Sequence, residues 1–260
     1  MDVQLDTILQ WLAQHFWPFT RVAGMFVTMA IFSGRTIPTR IKLFAAVAIT
    51  MAIAPVLPPI DVPFETVSPA GMLVTVHQIT IGMLLGIISL MVIHTFSVAG
   101  QILGMQIGLG FASMVDPGSG QQVPVLGQFY LMLATLMFLA FDGHLTMIRI
   151  VVLSFDAIPI GQRGPDVDAM YYVAMWGANM FRAGLTFALS AVIAIMTMSL
   201  AFGIMTRAAP QLNIFTIGFP IKLVSGLLIL WLTMGNFVRH FDKLWGSGVE
   251  ALCFVLGGQC

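Results

Sequence analysis

The side chains best suited to chemistry stand apart from one another in this chain. Histidines occur singly, at His15, His77, His94, His144 and His240, and no two form the i, i+4 pair with an intervening glutamate that a zinc hydrolase needs. The tightest grouping of acid and histidine, Asp142-Gly143-His144, follows an apolar run; polar residues commonly cap a helix there, so end-capping is preferred over a proton relay. Cys253 and Cys260 are the only cysteines; with no metal-ligand spacing and no disulfide framework, they are read as incidental. No Walker loop, GxSxG elbow or strand-borne GxGxxG occurs, and the glycine runs lie inside apolar stretches, where a phosphate cradle lacks its context. The expectation is a chain with no catalytic residues, no metal and no cofactor.

What must position any function is a set of apolar helices. Of 260 residues, 58% are hydrophobic and 8% charged, against about a quarter charged in a soluble domain. Mean hydropathy is +0.96, so apolar side chains outnumber what one core could hide and must face lipid or other subunits. The zero net charge suggests no nucleic-acid patch and no polybasic tail. The acidic start, Asp2 and Asp6, is unlike a removable signal peptide, and the first helix is expected to be retained.

Six apolar regions are read: about Ile8 to Phe32, interrupted by Pro18 and Arg21; Leu43 to Ile60, closing in a proline cluster; Thr66 to Val115; Val123 to Phe141; Tyr171 to Met205; and Ile214 to Phe237. The third holds 50 residues without Asp, Glu, Lys or Arg. As one helix it would run about 75 Å, more than twice a bilayer core, so either the chain turns back near Ser97 to Gly100 or one long helix is covered by protein. Asp142 to Asp168 reads as the most polar section, an exposed loop marked by Asp156, Pro159, Gly161, Arg163, Pro165 and Asp166. Arg35, Arg40 and Lys42 place the first loop in the cytoplasm by the positive-inside rule. Alternating six spans then leaves Arg239 and Lys243 outside, against that rule, so some apparent spans pack on protein. Arg149 and Arg182 lie in apolar surroundings and must snorkel or pair, Arg182 with Asp168 or with another subunit.

Gly100, Gly104 and Gly108, with Gly82 and Gly86 upstream, form strips nearly free of side chain that let helix backbones approach, within this chain or against another subunit. Beyond them, Gly110 to Gly118 combines glycines, bulky apolar side chains and a turn. Such a segment can fill a pore in the manner of a hydrophobic gate, although an ordinary interhelical loop is the simpler reading. The 19 methionines are read as core filling, or as a deformable seal if several line a passage.

Four segments carry a resemblance: GQILGMQIGLGFASMVDP (Gly100 to Pro117), PVLGQF (Pro124 to Phe129), FDGH (Phe141 to His144) and PQLNIFTIGFPIK (Pro210 to Lys222). In order, spacing and total length the chain resembles the FliR family of flagellar export proteins, related to the SctT proteins of injectisomes, and the last segment is flagellar in type. Met114 stands where the family is expected to carry an aromatic. The resemblance implies an all-α membrane protein of long helical hairpins, with a FliP-like region at 1–200 and a FliQ-like C-terminal hairpin at 201–260, assembled with FliP-like and FliQ-like proteins into a helical cone. FlhB-like and FlhA-like export components are implied as further partners, and unfolded flagellar proteins as substrate. It places the chain in the bacterial inner membrane at the flagellar basal body, with much of the assembly on the periplasmic side. It also implies a pore plug at 111–122, with Phe111, Met114, Val115, Asp116, Pro117 and Gly118, hinged at Gly110, Gly118 and Gly120. Pro210, Gln211, Asn213, Phe215, Gly218, Phe219 and Pro220 are the family-motif residues. The competing expectation is a self-sufficient multi-pass permease or channel for a small solute, lined by Gln78, Gln101, Gln106 and Asn179.

Overall fold

The computed structural model describes residues 2–34, 37–58, 68–109, 113–115, 122–161, 164–208 and 218–258. The chain is an all-α membrane protein of eight helices among those residues: α1 (Asp2–Thr28), α2 (Thr39–Ile53), α3 (Pro69–Ile107), α4 (Val125–Ala140), α5 (Gly143–Ala157), α6 (Val167–Ala208), α7 (Phe219–Met234) and α8 (Phe237–Val255). A small antiparallel pair, β1 (Ser113–Val115) and β2 (Gln122–Pro124), joins α3 to α4. Three helices are long and apolar enough to cross a membrane, namely α3, α6 and α2 taken together with the 3-10 turn Ala54–Val56 that continues it, or five spans if α4 with α5 and α7 with α8 each count as one bent span.

The long apolar run resolves as one helix. α3 passes through Ser97 to Gly100 unbroken for 39 residues, about 58 Å at 1.5 Å per residue. α6 is longer still at 42 residues, again about twice a hydrocarbon core. α3 is the inner helix, with 56% of its most apolar stretch buried, whereas the figures for α2 and α6 are 11% and 17%. The apolar surface of α2 and α6 therefore points outward.

Two expectations about the helices are corrected. The section from Asp142 to Asp168 is not mainly a loop, because residues Gly143 to Ala157 form α5. Apart from Asp156, which lies in its last turn, the residues that suggested a loop follow α5 in sequence, while Met147, Ile150, Val151 and Phe155 give it a buried face. Pro18 and Arg21 also fail to interrupt the first helix, since both lie inside α1.

The chain divides into two compact units, one of residues 1–91, 139–177 and 247–260, the other of 92–138 and 178–246. In the first, Arg21 is fully buried. Its Nε donates to Gln78 Oε1 on α3 (2.7 Å), Nη1 to Ser154 O (2.6 Å) and Oγ (3.0 Å) on α5, and Nη2 to Ile158 O (2.8 Å). Its Cζ sits 4.2 Å from the centre of the Phe155 ring. One guanidinium thus binds α1 to α3 and to the end of α5 through neutral acceptors, which is how a cation is kept inside without a carboxylate. Nearby, Trp17 Nε1 donates to Thr75 Oγ1 (3.3 Å) and Thr28 Oγ1 to Met83 O (3.1 Å). Arg149 and Arg182, by contrast, are exposed. Arg182 cannot meet Asp168, because both ride on α6 fourteen residues apart, about 21 Å along the axis.

The second unit is centred on aromatic rings. Phe96 of α3 lies against Phe187 of α6 at 5.5 Å and against Phe237 and Phe241 of α8 at 4.9 and 5.7 Å between centroids. Tyr130 of α4 touches Phe187 and Phe237 as well, and Phe138 stands edge-on to Trp245 at 4.9 Å. Such offset and edge-to-face pairs add to plain area burial. α8 bends 60° away from α7 and is amphipathic: Phe241, Trp245, Ala251 and Leu252 are buried while Arg239, Asp242, Lys243 and Glu250 are exposed. The C-terminal basic residues belong to that polar face. Cys253 is disulfide-bonded, which corrects the incidental reading; the one other cysteine, Cys260, lies outside the described residues.

Arg21→Ala would strand the Gln78, Ser154 and Ile158 acceptors and should cost about 3–5 kcal/mol. In thermal unfolding of the purified protein this reads as a Tm lowered by roughly 10 °C, while Arg182→Gln on the exposed face should leave Tm within about 2 °C.

Candidate functional site

The glycine positions show where helices touch. A Cβ built on Gly82 would strike Arg21 O and Met25 N of α1, and one on Gly86 would strike Thr28 Oγ1 and Met25 O. From the other side, a Cβ on Gly24 would lie 2.6 Å from Ile79 O. In the second unit a Cβ on Gly100 would lie 2.5 Å from Leu126 O and 2.9 Å from Gly127 Cα of α4. Gly104 has ordinary room instead, 3.7 Å from Leu126 and Pro124 side-chain carbons. Backbone-to-backbone approach within this chain thus explains Gly82, Gly86 and Gly100 in physical terms, and Gly104 is the looser neighbour.

Gly108 has a different task. It follows the last residue of α3, its N–H bonds to Met105 O at 3.2 Å, and its φ is +94°, a left-handed conformation that glycine adopts without strain. Here the chain leaves the helix for the segment expected to form a plug. The ring of Phe219 covers this point, so that a Cβ on Gly108 would sit 2.9 Å from Phe219 Cε2. Phe219 opens α7, with Gly218 at the N-cap and Pro220 in the first turn, where its fixed φ and missing N–H are harmless. One residue before Gly108's bend, Ile107 packs on Gly226 of α7, a Cβ there falling 2.7 Å from Ile107 Cγ1. Two motifs more than a hundred residues apart in sequence therefore meet at one spot.

The segment that starts there is held at both ends. β1 and β2 pair with Ser113 opposite Pro124, Met114 opposite Val123 and Val115 opposite Gln122, and Val125 begins α4 directly after. Met114 and Val115 are thus strand residues at the backbone level. Phe111, Asp116, Pro117 and Gly118, the hinge glycines Gly110 and Gly120, and Pro210, Gln211, Asn213 and Phe215 lie outside the described residues. Beside the hairpin's return strand, α4 and α7 enclose an apolar cavity of about 350 Å³ lined by Val125, Phe129, Leu227 and Trp231 among others. The contact of Gly108 with Phe219 was not singled out from sequence, although both residues stood in the quoted motifs.

Two of the four polar residues expected to line a solute pathway have other duties. Gln78 is fully buried and holds Arg21, and Gln101 donates through Nε2 to Ser97 Oγ at 3.4 Å on its own helix. Asp142 is the N-cap of α5, in a left-handed conformation at φ 53° and without a side-chain capping bond; His144 follows in the first turn.

A family model described as Bacterial export proteins, family 1, matches residues 12–248. The chain is 40% identical to the flagellar biosynthetic protein FliR of Escherichia coli strain K12, over 98% of this chain and 97% of that one. It is 38% identical to FliR of Pectobacterium carotovorum (96% and 95% covered) and 29% identical to FliR of Bacillus subtilis (83% and 84%). With the glycine-notched α3, the motif meeting at Gly108 and Phe219, and likeness along nearly its whole length, the chain belongs to the FliR family of bacterial export proteins.

Proposed function

We propose that this chain is a core subunit of the flagellar protein export gate, and that residues 111–122 form a plug that closes the conduit to ions until unfolded substrate displaces it. Family membership supports a flagellar export component embedded in the membrane and working with other export apparatus proteins. It favours that reading over a lone permease. The finer reading is that FliP-like and FliQ-like subunits surround the chain in a cone, with FlhA-like and FlhB-like components nearby, in the inner membrane and largely on its periplasmic side. The halves 1–200 and 201–260 then describe likeness to FliP-type and FliQ-type chains.

The observation that carries the plug is the anchoring of its base. A segment that must seal and then yield needs fixed ends and a short movable tip. The strand pairing between Ser113–Val115 and Gln122–Pro124 supplies the ends, and the Phe219 ring over Gly108 clamps the exit from α3. The apolar residues suited to a seal that excludes water and ions are Met114 and Val115, carried on the paired base itself, and Phe111 just before it. The outward apolar surface of α2, α6 and α7, including Phe44 (70% exposed), Leu200 (67%) and Trp231 (72%), suits a subunit sheathed by neighbours where its helices outrun the lipid.

Deleting residues 111–122 should leave the complex recoverable with its partners but raise membrane ion conductance well above background; conductance at background would remove the plug assignment. Phe219→Ala should give a smaller leak with assembly intact. Gly108→Ala, which forces a side chain into a left-handed bend at a cost of about 1–2 kcal/mol and against the ring, should leak at least as much as Phe219→Ala in the same assay.

A further inference from the structure

In the first unit the two ends of α1 carry different chemistry. Near its start, Ala13 and Trp17 are buried with Val74 of α3, and Ile160, from the connection between α5 and α6, packs against them. Just past its end, Ala30 N donates to Ser89 Oγ at 3.3 Å. The chain then enters α2, where Arg40 is exposed and Lys42 Nζ donates to Gly34 O at 3.0 Å. Ala13 and Thr28 stand fifteen residues apart on α1, about 22 Å, most of a hydrocarbon core of about 30 Å. Basic residues beside a span mark its cytoplasmic end, so the Ile160 end belongs to the opposite side.

The last turn of α8 lies at that opposite end. Phe254 and Leu256 line one cavity of about 860 Å³ with Ala157, Ile158 and Asp168, and Ile158 leads directly to Ile160. α8 closes there in a Schellman turn: Gly258 N donates to Cys253 O at 2.9 Å and Gly257 N to Phe254 O at 3.0 Å, with the two glycines at φ +81° and +70°. The turn brings the chain back over Cys253, which is disulfide-bonded. Cys260 is the only other cysteine of the chain, two residues beyond Gly258 and within a reach of about 7 Å.

A disulfide persists in oxidising surroundings, whereas cytosolic thiol systems keep such a pair reduced. For a protein of the bacterial inner membrane the oxidising side is the periplasm. Charge at one end of α1 and sulfur chemistry at the other therefore give the same orientation, although neither depends on the other. That orientation also removes the conflict with the charge rule. Arg239 and Lys243 stand fourteen and ten residues before Cys253 on α8, about 21 and 15 Å along its axis, and not in an outer loop.

We propose that the start of α1, the α5–α6 connection and the C-terminal turn of α8 face the periplasm, where Cys253 and Cys260 are joined by thiol–disulfide exchange. One cysteine thiolate attacks the disulfide of a periplasmic oxidoreductase and forms a mixed disulfide; the second thiolate then displaces that enzyme's sulfur. The two electrons and two protons of the cysteine pair leave on the enzyme's dithiol. The inference rests on the inner-membrane placement proposed above and not on the plug.

Blocking free thiols in intact cells with N-ethylmaleimide, then adding a polyethylene glycol maleimide after denaturation, tests the bond. The unaltered chain should take up the second reagent only after reduction, with a two-label gel shift; cysteines already blocked in the cell would overturn the proposal. Orientation is read in a Cys253→Ser, Cys260→Ser background. Asp168→Cys, at an exposed position, should react with a membrane-impermeant maleimide once the outer membrane is opened. Thr39→Cys, exposed at the start of α2, should react only after the inner membrane is broken. The reverse order, or equal reaction of both thiols from outside, would overturn the orientation. A chain absent from the inner-membrane fraction would refute the placement itself. Ion conductance, which tests the plug, should be the same with and without the cysteines.

Discussion

Everything else in this structure depends on helix backbones lying against one another without side chains between them. α3 has no polar face to organise it, and in an apolar solvent the hydrophobic effect cannot tell one greasy helix from another. Gly82 and Gly86 set α3 directly on α1, and Gly100 sets it on α4. The attraction in such contacts is dispersion, which falls off within fractions of an ångström, so the notches must match in register as well as in size.

Each unit adds its own lock to that contact. In the first it is Arg21, a charge that would be costly inside had the fold not directed Gln78 Oε1 and the carbonyls of Ser154 and Ile158 at it. In the second it is the ring cluster around Phe96 and Tyr130, where packing geometry does the same work without charge. Both locks lie inward, which leaves α2, α6 and α7 with apolar exteriors. At 42 residues α6 is about twice as long as a bilayer's hydrocarbon core is thick.

Much of the architecture was legible because it follows from composition and spacing. The scarcity of charge outlined most helices, and turn formers marked the break between α3 and α4. α5 was hidden because Asp142, Arg149 and Asp156 gave its sequence a polar look, although its buried face repeats at Met147, Ile150, Val151 and Phe155. α8 was hidden for a related reason: an amphipathic helix scores poorly on hydropathy even when one side is fully packed. The hairpin segment stood out by its glycines and its resemblance, yet its clamp by Phe219 could not be read off, since no local rule links Gly108 to a residue more than a hundred positions away.

By itself, the sequence determined the class of molecule, the family and the residues able to make close contacts, because hydropathy, glycine spacing and motif order are properties of the chain as written. Only the tertiary structure decided which glycines are spent on backbone contact, that Arg21 and not Arg149 or Arg182 is the buried cation, and that the long apolar run does not turn back. Those choices depend on which groups from distant segments arrive at the same place. A charge is affordable or ruinous, and a glycine essential or idle, according to neighbours that the linear order does not name.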